Sequence, residues 1–539
     1  MLSIGAMGSG QGDYYLSLAR EDYYLNGGEP PGVWLGQGAQ SLGLTGMVDA
    51  GALTRLLEGF HPEENGGALI QNAGAKDHQP GWDLTFSAPK SVSVLWSQAD
   101  PQVRKIIEDC HFAAVKTALG FIEETSAITR RGKGGHIKED AQLIIAAFEH
   151  GTSRAQDPQL HTHCLVMNVC TREDGTSGTI ESKLLYLAKM ATGALYRAEF
   201  AVLLEKGLGV TVERKGSCFE IGGVPEDLMT EFSKRRGEID MLLEEKGYES
   251  SAAAAMAALA TRQTKTFTPR EQLFDEWQET GQKFNWGPEQ AADFLREAQS
   301  PLRDPKQEKE AALLSAMKRS TDEKSYFNER EFIRYVAEEA QGRGFGAHDV
   351  RQISKSYLEQ SPEIVPLGVY KHENLYSTRE MMAIERSLIH QVQKSKSQFH
   401  EGVSEQVLKG VVGARHRLNE EQAAALRHVC DSGPGSIRIV SGMAGTGKTT
   451  FLDAARFAWT LEGFQVHGFA LPGKAAKGLG TGTHIKHDTL HRTLWNLESG
   501  KLRLTPKSVL VLDEAGMVGT RQMEKLMTAA SKTGARLVV

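Results

Sequence analysis

The sequence predicts a multidomain α/β protein: an N-terminal α+β domain whose helices cover a central antiparallel sheet, a helical middle region, and a C-terminal domain on a parallel sheet. Three observations lead there. At 539 residues the chain is too long for one hydrophobic core. Two apolar runs, Leu143–Phe148 and Leu165–Val169, flank a polar stretch at 151–159, the signature of two strands folding back on each other. From residue 416 onward strand and helix signals alternate around Gly442-Met-Ala-Gly-Thr-Gly-Lys-Thr449, as in βαβ units.

Composition narrows the class. Hydrophobic residues make up 40% and charged residues 24%, the balance of compact folded domains. A formal net charge of −6 excludes a protein that coats nucleic acid over its whole surface, so any such contact must come from local basic patches. No basic start leads into a long apolar run and no stretch reaches the ~18 apolar residues of a membrane span, so no membrane insertion and a cytoplasmic location are expected. The five cysteines, Cys110, Cys164, Cys170, Cys218 and Cys430, contain no C-x-x-C pair, which argues against a disulfide framework or a cysteine-built zinc finger.

In chain order, Asp83–Pro89, Ser91–Trp96, Leu143–Phe148 and Leu165–Val169 read as strands, and residues 101–125 and 186–207 carry apolar side chains at helical spacing. The composition then shifts at 226–300 to charged and alanine-rich helices, with an alanine run at 252–260, and a boundary is placed near 290–300. Residues 309–400 stay helical apart from strand-like pieces at 364–369 and 374–376. Strands at 436–440, 465–469, 508–512 and 536–539 build the parallel sheet. The expected domains are 1–290, 291–410 and 411–539.

Side chains alternate along a strand, so His161 and His163 share one face, and an antiparallel return sets His150 beside them. Three neutral imidazoles with open positions suit a catalytic divalent cation better than a closed structural site; the plain alternative is strand histidines satisfied by neighbours. Ligand type alone favours Zn2+, whereas a hard phosphate substrate favours Mg2+ or Mn2+. Two tyrosine pairs, Tyr14-Tyr15 and Tyr23-Tyr24, crowd the N-terminal segment. A phenol with a pKa near ~10 needs a nearby cation or base to become a nucleophile. Asp83 lies in an apolar strand, where a carboxylate requires a partner. Arg154, between the histidine strands, is either a phosphate clamp or a solvated loop residue. Arg130, Arg131, Lys133 and Lys138, with His136, form the best local basic patch for a DNA backbone, or else a solvated charged face.

The string His150-Gly-Thr-Ser-Arg154 followed by Asp157-Pro-Gln-Leu-His-Thr-His163 resembles the histidine-hydrophobic-histidine signature of MobF-class conjugative relaxases, with Thr162 less apolar than that label. Asp83 to Ser93, Trp34 to Ala39 and Leu42 to Gly46 are similar to further blocks of that family. The resemblance implies a relaxase domain in which Tyr14 attacks the scissile phosphate, leaving a 5′-phosphotyrosine and a free 3′-hydroxyl. Tyr23 becomes the second nucleophile, and Tyr15 and Tyr24 are further candidates or packing residues. It implies that Asp83 bonds a metal-bound histidine or accepts the tyrosine proton. The implied partners are single-stranded DNA at a transfer origin with a flanking hairpin, relaxosome accessory proteins and a type IV secretion coupling protein. The protein is then exported covalently linked to DNA during bacterial conjugation. Two competing readings are a rolling-circle replication initiator and a P-loop NTPase whose N-terminal domain binds DNA without cutting it.

The 442–449 segment follows a strand and opens a helix, the context of a P-loop. Gly442, Gly445 and Gly447, with Thr446 and Thr450, let the backbone face phosphates, Lys448 meets the terminal phosphates, and Thr449 ligates magnesium, so ATP with Mg2+ is expected. Asp513 and Glu514, closing the apolar run 509–512, suit magnesium binding and water activation. Leu418–Gln422 resembles the adenine-reading segment of superfamily 1 helicases, with Gln422 as reader. Residues 471–476 and 489–493 are similar to DNA-contacting segments of the RecD-like branch, and Tyr376–Glu380 fits the region before its first motor domain. The resemblance implies a RecA-like first motor domain of a 5′–3′ helicase. Such motors need a second RecA-like domain, and with the sequence stopping at Val539, nucleotide binding with little coupled hydrolysis is expected.

Overall fold

The computed structural model describes residues 1–8, 30–246, 268–370, 373–414, 418–443 and 446–539. It contains two compact units, Met1–Met317 with Glu329–Leu358, and Lys318–Asn328 with Glu359–Val539.

The first unit is organised by an antiparallel sheet. Its N-terminal strands are β1 (Leu2–Ala6), β2 (Val33–Leu35), β3 (Gly81–Ser87), β4 (Ile128–Arg131), β5 (Ile137–Asp140), β6 (Gln142–Thr152), β7 (Pro158–Thr171) and β8 (Ser177–Gly178). The main sheet runs β1-β3-β7-β6-β2, with β8 added to β7, while β4 and β5 form a separate ribbon. Both faces are covered, which explains why β6 reads as a nearly unbroken apolar run rather than an alternation. Leu143, Ile145 and Ala147 enter a core with Val115 and Leu204 of the helices Pro101–Ser126 and Ser182–Leu208. Ile144, Ala146 and Phe148 enter the opposite core with Leu53 and Leu56 of the helix Ala50–Leu57.

Local signals set the helix ends. Asp100 accepts from the amides of Gln102 and Val103, and Pro101 fixes the first turn of the long helix. Gly209, at φ 71°, stops the helix Ser182–Leu208 in the left-handed conformation that glycine tolerates.

One expected strand is a helix. Ser91–Trp96 lies within the helix Lys90–Gln98, in which every residue from Ser91 to Gln98 is buried. An element buried all round carries no amphipathic period, and the Ser-Val alternation imitates a strand. The serines face polar needs instead: Ser91 Oγ accepts from the Ile221 amide at 2.7 Å and Ser93 Oγ from the Leu160 amide at 3.1 Å. The predicted hairpin is present, but its strands extend into the polar stretch, leaving only residues 153–157 as the connection.

A two-stranded ribbon, β9 (Val212–Lys215) and β10 (Cys218–Ile221), follows. The helical middle comprises Arg270–Lys283, Pro288–Glu297, Pro305–Ser320, Glu329–Ala340 and Ala347–Gln360. The alanine run at 252–260 lies outside the described residues.

The second unit opens with β11 (Phe327–Asn328), β12 (Ile364–Tyr370) and β13 (Glu373–Thr378), ordered β11-β13-β12, and a small pair, β14 (Phe399–His400) with β15 (Gly433–Pro434). Its main sheet contains β16 (Ile437–Arg438), β17 (Gln465–Ala470), β18 (Lys486–Thr489), β19 (Ser508–Leu512) and β20 (Arg536–Val538), all parallel, in the order β16-β20-β19-β17-β18. Helices cover both faces, one core holding Phe451, Trp459 and Leu426, the other Leu490, Leu494 and Leu526. The edge strand β18 was not expected from the sequence, because Lys486-His-Asp-Thr489 is polar and lacks strand-forming side chains. Among the described residues no helix is long and apolar enough to cross a membrane.

Candidate functional site

The register of β6 and β7 builds the first site. His150 stands directly opposite His161, and His163 follows two positions along β7 on the same face. Asp83 and Thr85 of β3 alternate onto this face, with Thr85 paired to His163. His150, His161 and His163 each offer a ligand atom within 4.8 Å of the others, and their ring centroids lie 5.1 to 5.3 Å apart.

The ring orientations fit a cation. His163 Nδ1 donates to Asp83 Oδ2 at 2.8 Å, and His161 Nδ1 donates to the Gln159 carbonyl at 2.8 Å. A proton held on Nδ1 leaves the lone pair on Nε2, the tautomer a metal ligand requires. Thr85 Oγ1 reaches Asp83 Oδ1 at 3.2 Å and fixes the carboxylate in turn. His150 is buried, and His161 and His163 are half-buried, so the cluster opens to one side. Three converging imidazole nitrogens, two of them on rings whose other nitrogen already has a partner, match a divalent-cation site that keeps positions for oxygen ligands.

The connection between the histidine strands is held firmly. Gln156 adopts φ 60°, its backbone carbonyl accepts from the Trp277 indole at 2.8 Å, and its side-chain Nε2 donates to Thr268 Oγ1 at 2.7 Å. The buried Asp157 accepts from the Lys234 amide at 3.1 Å; burial raises its pKa against the opposing pull of Lys90. Lys90 donates to the carbonyls of Pro158 at 3.0 Å and Phe232 at 2.8 Å, and burial lowers its pKa to about 8. Arg154 is half-buried in this turn. Trp277, Lys90 and Gln156 went unremarked in the sequence, since each acts through a backbone carbonyl and has no motif of its own.

Tyr14, Tyr15, Tyr23 and Tyr24 lie outside the described residues, but the chain on both sides is placed. β1 and β2 are the two edge strands of the sheet, and β2 starts with Val33 opposite Ala147, three positions from His150.

The basic patch on the β4–β5 ribbon is largely neutralised by nearby carboxylates. Arg130 and Lys138 pair with Glu181 at 2.9 and 3.0 Å, and Arg131 pairs with Asp174 at 2.6 Å and Glu139 at 3.1 Å. Lys133 and His136 are exposed beside them.

In the second unit, β16 runs into Gly442 and β19 into Asp513. Leu537 of β20 pairs with both Ile437 and Leu510, so both ends emerge on the carboxyl edge of the sheet, separated by one strand, roughly 10 Å. Gly447, at φ 80°, turns the chain into the helix Lys448–Leu461, which places Lys448, Thr449 and Thr450 in its first turn. Thr446 Oγ1 donates to the Met443 carbonyl at 2.8 Å, while Gly445 lies outside the described residues. Gln422 Nε2 donates to the Thr446 carbonyl at 3.1 Å and its Oε1 accepts from the Asn419 amide, so this side chain touches the loop itself. Glu514 takes the left-handed conformation at φ 53°, its amide donating to Asp513 Oδ1 at 3.0 Å.

Each half resembles known proteins. A family model described as TrwC relaxase matches residues 9–284, and one described as AAA domain matches residues 417–539. The chain is 35% identical over 297 residues to the multifunctional conjugation protein TraI of Escherichia coli (strain K12), which covers 52% of this chain and 16% of that protein. It is 41% identical over 164 residues to the conjugal transfer protein TraA of Agrobacterium fabrum, covering 30% of this chain and 15% of that one. The ATP-dependent RecD2 DNA helicase of Deinococcus radiodurans is 34% identical over 130 residues, 23% of this chain and 18% of its own length. The chain therefore spans about a sixth of the length of the conjugation proteins it matches. A solved structure of conjugative relaxase TrwC in complex with oriT DNA, metal-bound, is 31% identical with a TM-score of 0.47, covering 53% of this chain and 99% of that one.

Proposed function

Because this chain belongs to the TrwC relaxase family, we propose that it nicks and rejoins one DNA strand at a transfer origin by tyrosine transesterification. The observation that carries this reading is the three-histidine cluster with Asp83 fixed behind His163.

His150, His161 and His163 would hold the divalent cation, Mg2+ or Mn2+ in the working state, which would supply positive charge at the scissile phosphate and lower the cost of a phenolate. The chain's own residues do the rest. Tyr14 Oη attacks phosphorus and its proton passes to Asp83 or solvent, while the bond to the 3′-oxygen breaks and that oxygen takes a proton from solvent, giving a 5′-phosphotyrosine and a 3′-hydroxyl. The phosphodiester energy stays in the new bond, so attack by the 3′-hydroxyl reverses the step without a nucleotide. Tyr23 is the nucleophile for a second exchange, with Tyr15 and Tyr24 in reserve. Tyr14 lies six residues from Gly8 and Tyr23 seven from Pro30, tethers of at most about 22 and 25 Å. Arg154, set in an anchored turn, clamps the phosphate.

In this reading residues 1–290 act as the nicking domain, 291–410 as a connector, and 411–539 bind ATP with Mg2+ through Lys448, Thr449 and Asp513. The substrate is single-stranded DNA with a flanking hairpin. Relaxosome accessory proteins and a secretion coupling protein are the further partners.

Incubating the full chain with Mn2+ and a labelled oligonucleotide carrying the element's own transfer origin is expected to give a covalent adduct that resists denaturation. Equal labelling by Tyr14→Phe and the unaltered chain removes Tyr14 from the first step. The absence of any adduct with all tyrosines intact removes the nicking activity.

A further inference from the structure

We propose that His111, Thr162 and Tyr196 form a buried brace that fixes β7 from behind and so sets the cation affinity of His161 and His163. The inference rests on reading the three histidines as a metal site, and it assigns positioning residues on the opposite face of the sheet.

Thr162 stands between the two histidines on β7, so its side chain points away from theirs, into the core under the long helices. There its Oγ1 lies 2.9 Å from His111 Nε2, and His111 Nδ1 lies 2.8 Å from the Tyr196 hydroxyl. All three residues are fully buried. Each comes from a different element: β7, the helix Pro101–Ser126 and the helix Ser182–Leu208. Phe86 and Phe200 wall the group in, with ring centroids 5.3 and 5.7 Å from Tyr196.

Such a group is an expensive way to fill a core. Valine, phenylalanine and leucine would occupy the same space without polar atoms, and each polar atom left unpaired there is destabilising. What the polar version adds is direction. Apolar packing tolerates sliding, whereas two hydrogen bonds in series hold one atom of β7 to fixed points on two helices. Fixing Thr162 fixes the backbone on both sides of it, and therefore the directions in which His161 and His163 leave the strand. Metal affinity depends on ligand placement to within about 0.5 Å. Both ring nitrogens of His111 are already bonded, so this fourth histidine serves as a strut rather than a ligand. Thr162 also explains the polar residue at the middle of the histidine pair: it has a partner waiting.

The test is Mn2+ titration of the full chain by calorimetry, with His163→Ala as the ligand-removal control and metal-free near-ultraviolet circular dichroism to verify folding. Thr162→Val, which keeps the shape and deletes the hydroxyl, is expected to weaken binding about 3- to 10-fold, below the roughly 10- to 100-fold of groups bonded directly to a metal ligand, because the brace acts through the backbone. Thr162→Ser restores binding to within about twofold. Tyr196→Phe weakens it about 2- to 5-fold, and the double variant loses less than the product of the two, because the bonds act in series. A folded Thr162→Val chain with unaltered Mn2+ affinity overturns the brace, and if that variant does not fold, unaltered affinity in Tyr196→Phe does the same. Failure of the parent chain to bind Mn2+, or indifference to His163→Ala, overturns the metal reading itself and the brace with it.

Discussion

Asp83→Asn isolates the charge behind His163. Asparagine keeps the size of the side chain and an acceptor for the His163 Nδ1 proton, but removes one negative charge. That charge sits 2.8 Å from Nδ1 and, through the ring and a metal–nitrogen bond of about 2.1 Å, roughly 6–7 Å from a cation on Nε2. At an effective dielectric constant near 20, a unit negative charge and a divalent cation at that separation attract by about 5 kcal/mol. Asp83 and His163 are 13% and 16% exposed, so solvent reaches the pair, and the asparagine dipole retains part of the attraction; the loss is then half or less of this, roughly 1.4–2.5 kcal/mol. Mn2+ affinity should therefore fall about 10- to 70-fold, within the range for second partners of metal ligands. Calorimetric titration at fixed pH measures it, with thermal melting of the metal-free chain as the folding control. A folded Asp83→Asn chain that binds Mn2+ within twofold of its parent refutes the electrostatic role.

Other outcomes follow from features of each unit. Burial holds the His111 pKa at about 3, so this ring stays neutral in the folded state while the unfolded chain takes up a proton below about 6.5. The unfolded state then binds the extra proton. Stability from this residue is complete above pH 6.5 and is lost at up to about 1.4 kcal/mol per pH unit as the pH falls toward 3. Urea midpoints from pH 7 to pH 4 test this, and a His111→Gln chain with the same pH slope contradicts it. Lys448→Ala should abolish ATP binding, read by a fluorescent analogue, and leave adduct formation unchanged; loss of both would mean the sites are coupled. In the β4–β5 ribbon, Lys133→Gln should reduce the salt dependence of oligonucleotide binding by about one ion. Arg131→Gln, which breaks pairs to Asp174 and Glu139, should instead act mainly on the thermal stability of the ribbon.

How much could be read beforehand depends on how local each feature is. The convergence of His150, His161 and His163 was legible because strand alternation and a short reversal fix it within one hairpin. The parallel sheet was legible because the P-loop demands a strand before it and a helix after it. The helix Lys90–Gln98 was misread because burial on every side erases its period. The partners of the basic cluster were hidden for another reason: Glu181 and Asp174 lie more than forty positions from Arg130 and Arg131, so only the folded chain reveals that those charges are matched. His111 did leave a trace, a lone polar residue on the apolar stripe of Ile107, Ala114, Val115 and Ala118, but its partner on β7 is 51 positions away.

A sheet with cores on both sides has no harmless error of alignment. Were β7 to slip by one residue against β6, two imidazoles would be driven among the leucines and phenylalanines under the long helices, and the Thr162 hydroxyl would lose its only purpose on the other face. Both halves of that mistake are penalised at once. The hairpin that arranges the chemistry thus carries its own check on assembly, and substitutions that make the two faces of β7 more alike should first be seen as misfolding during expression, ahead of any weakened catalysis.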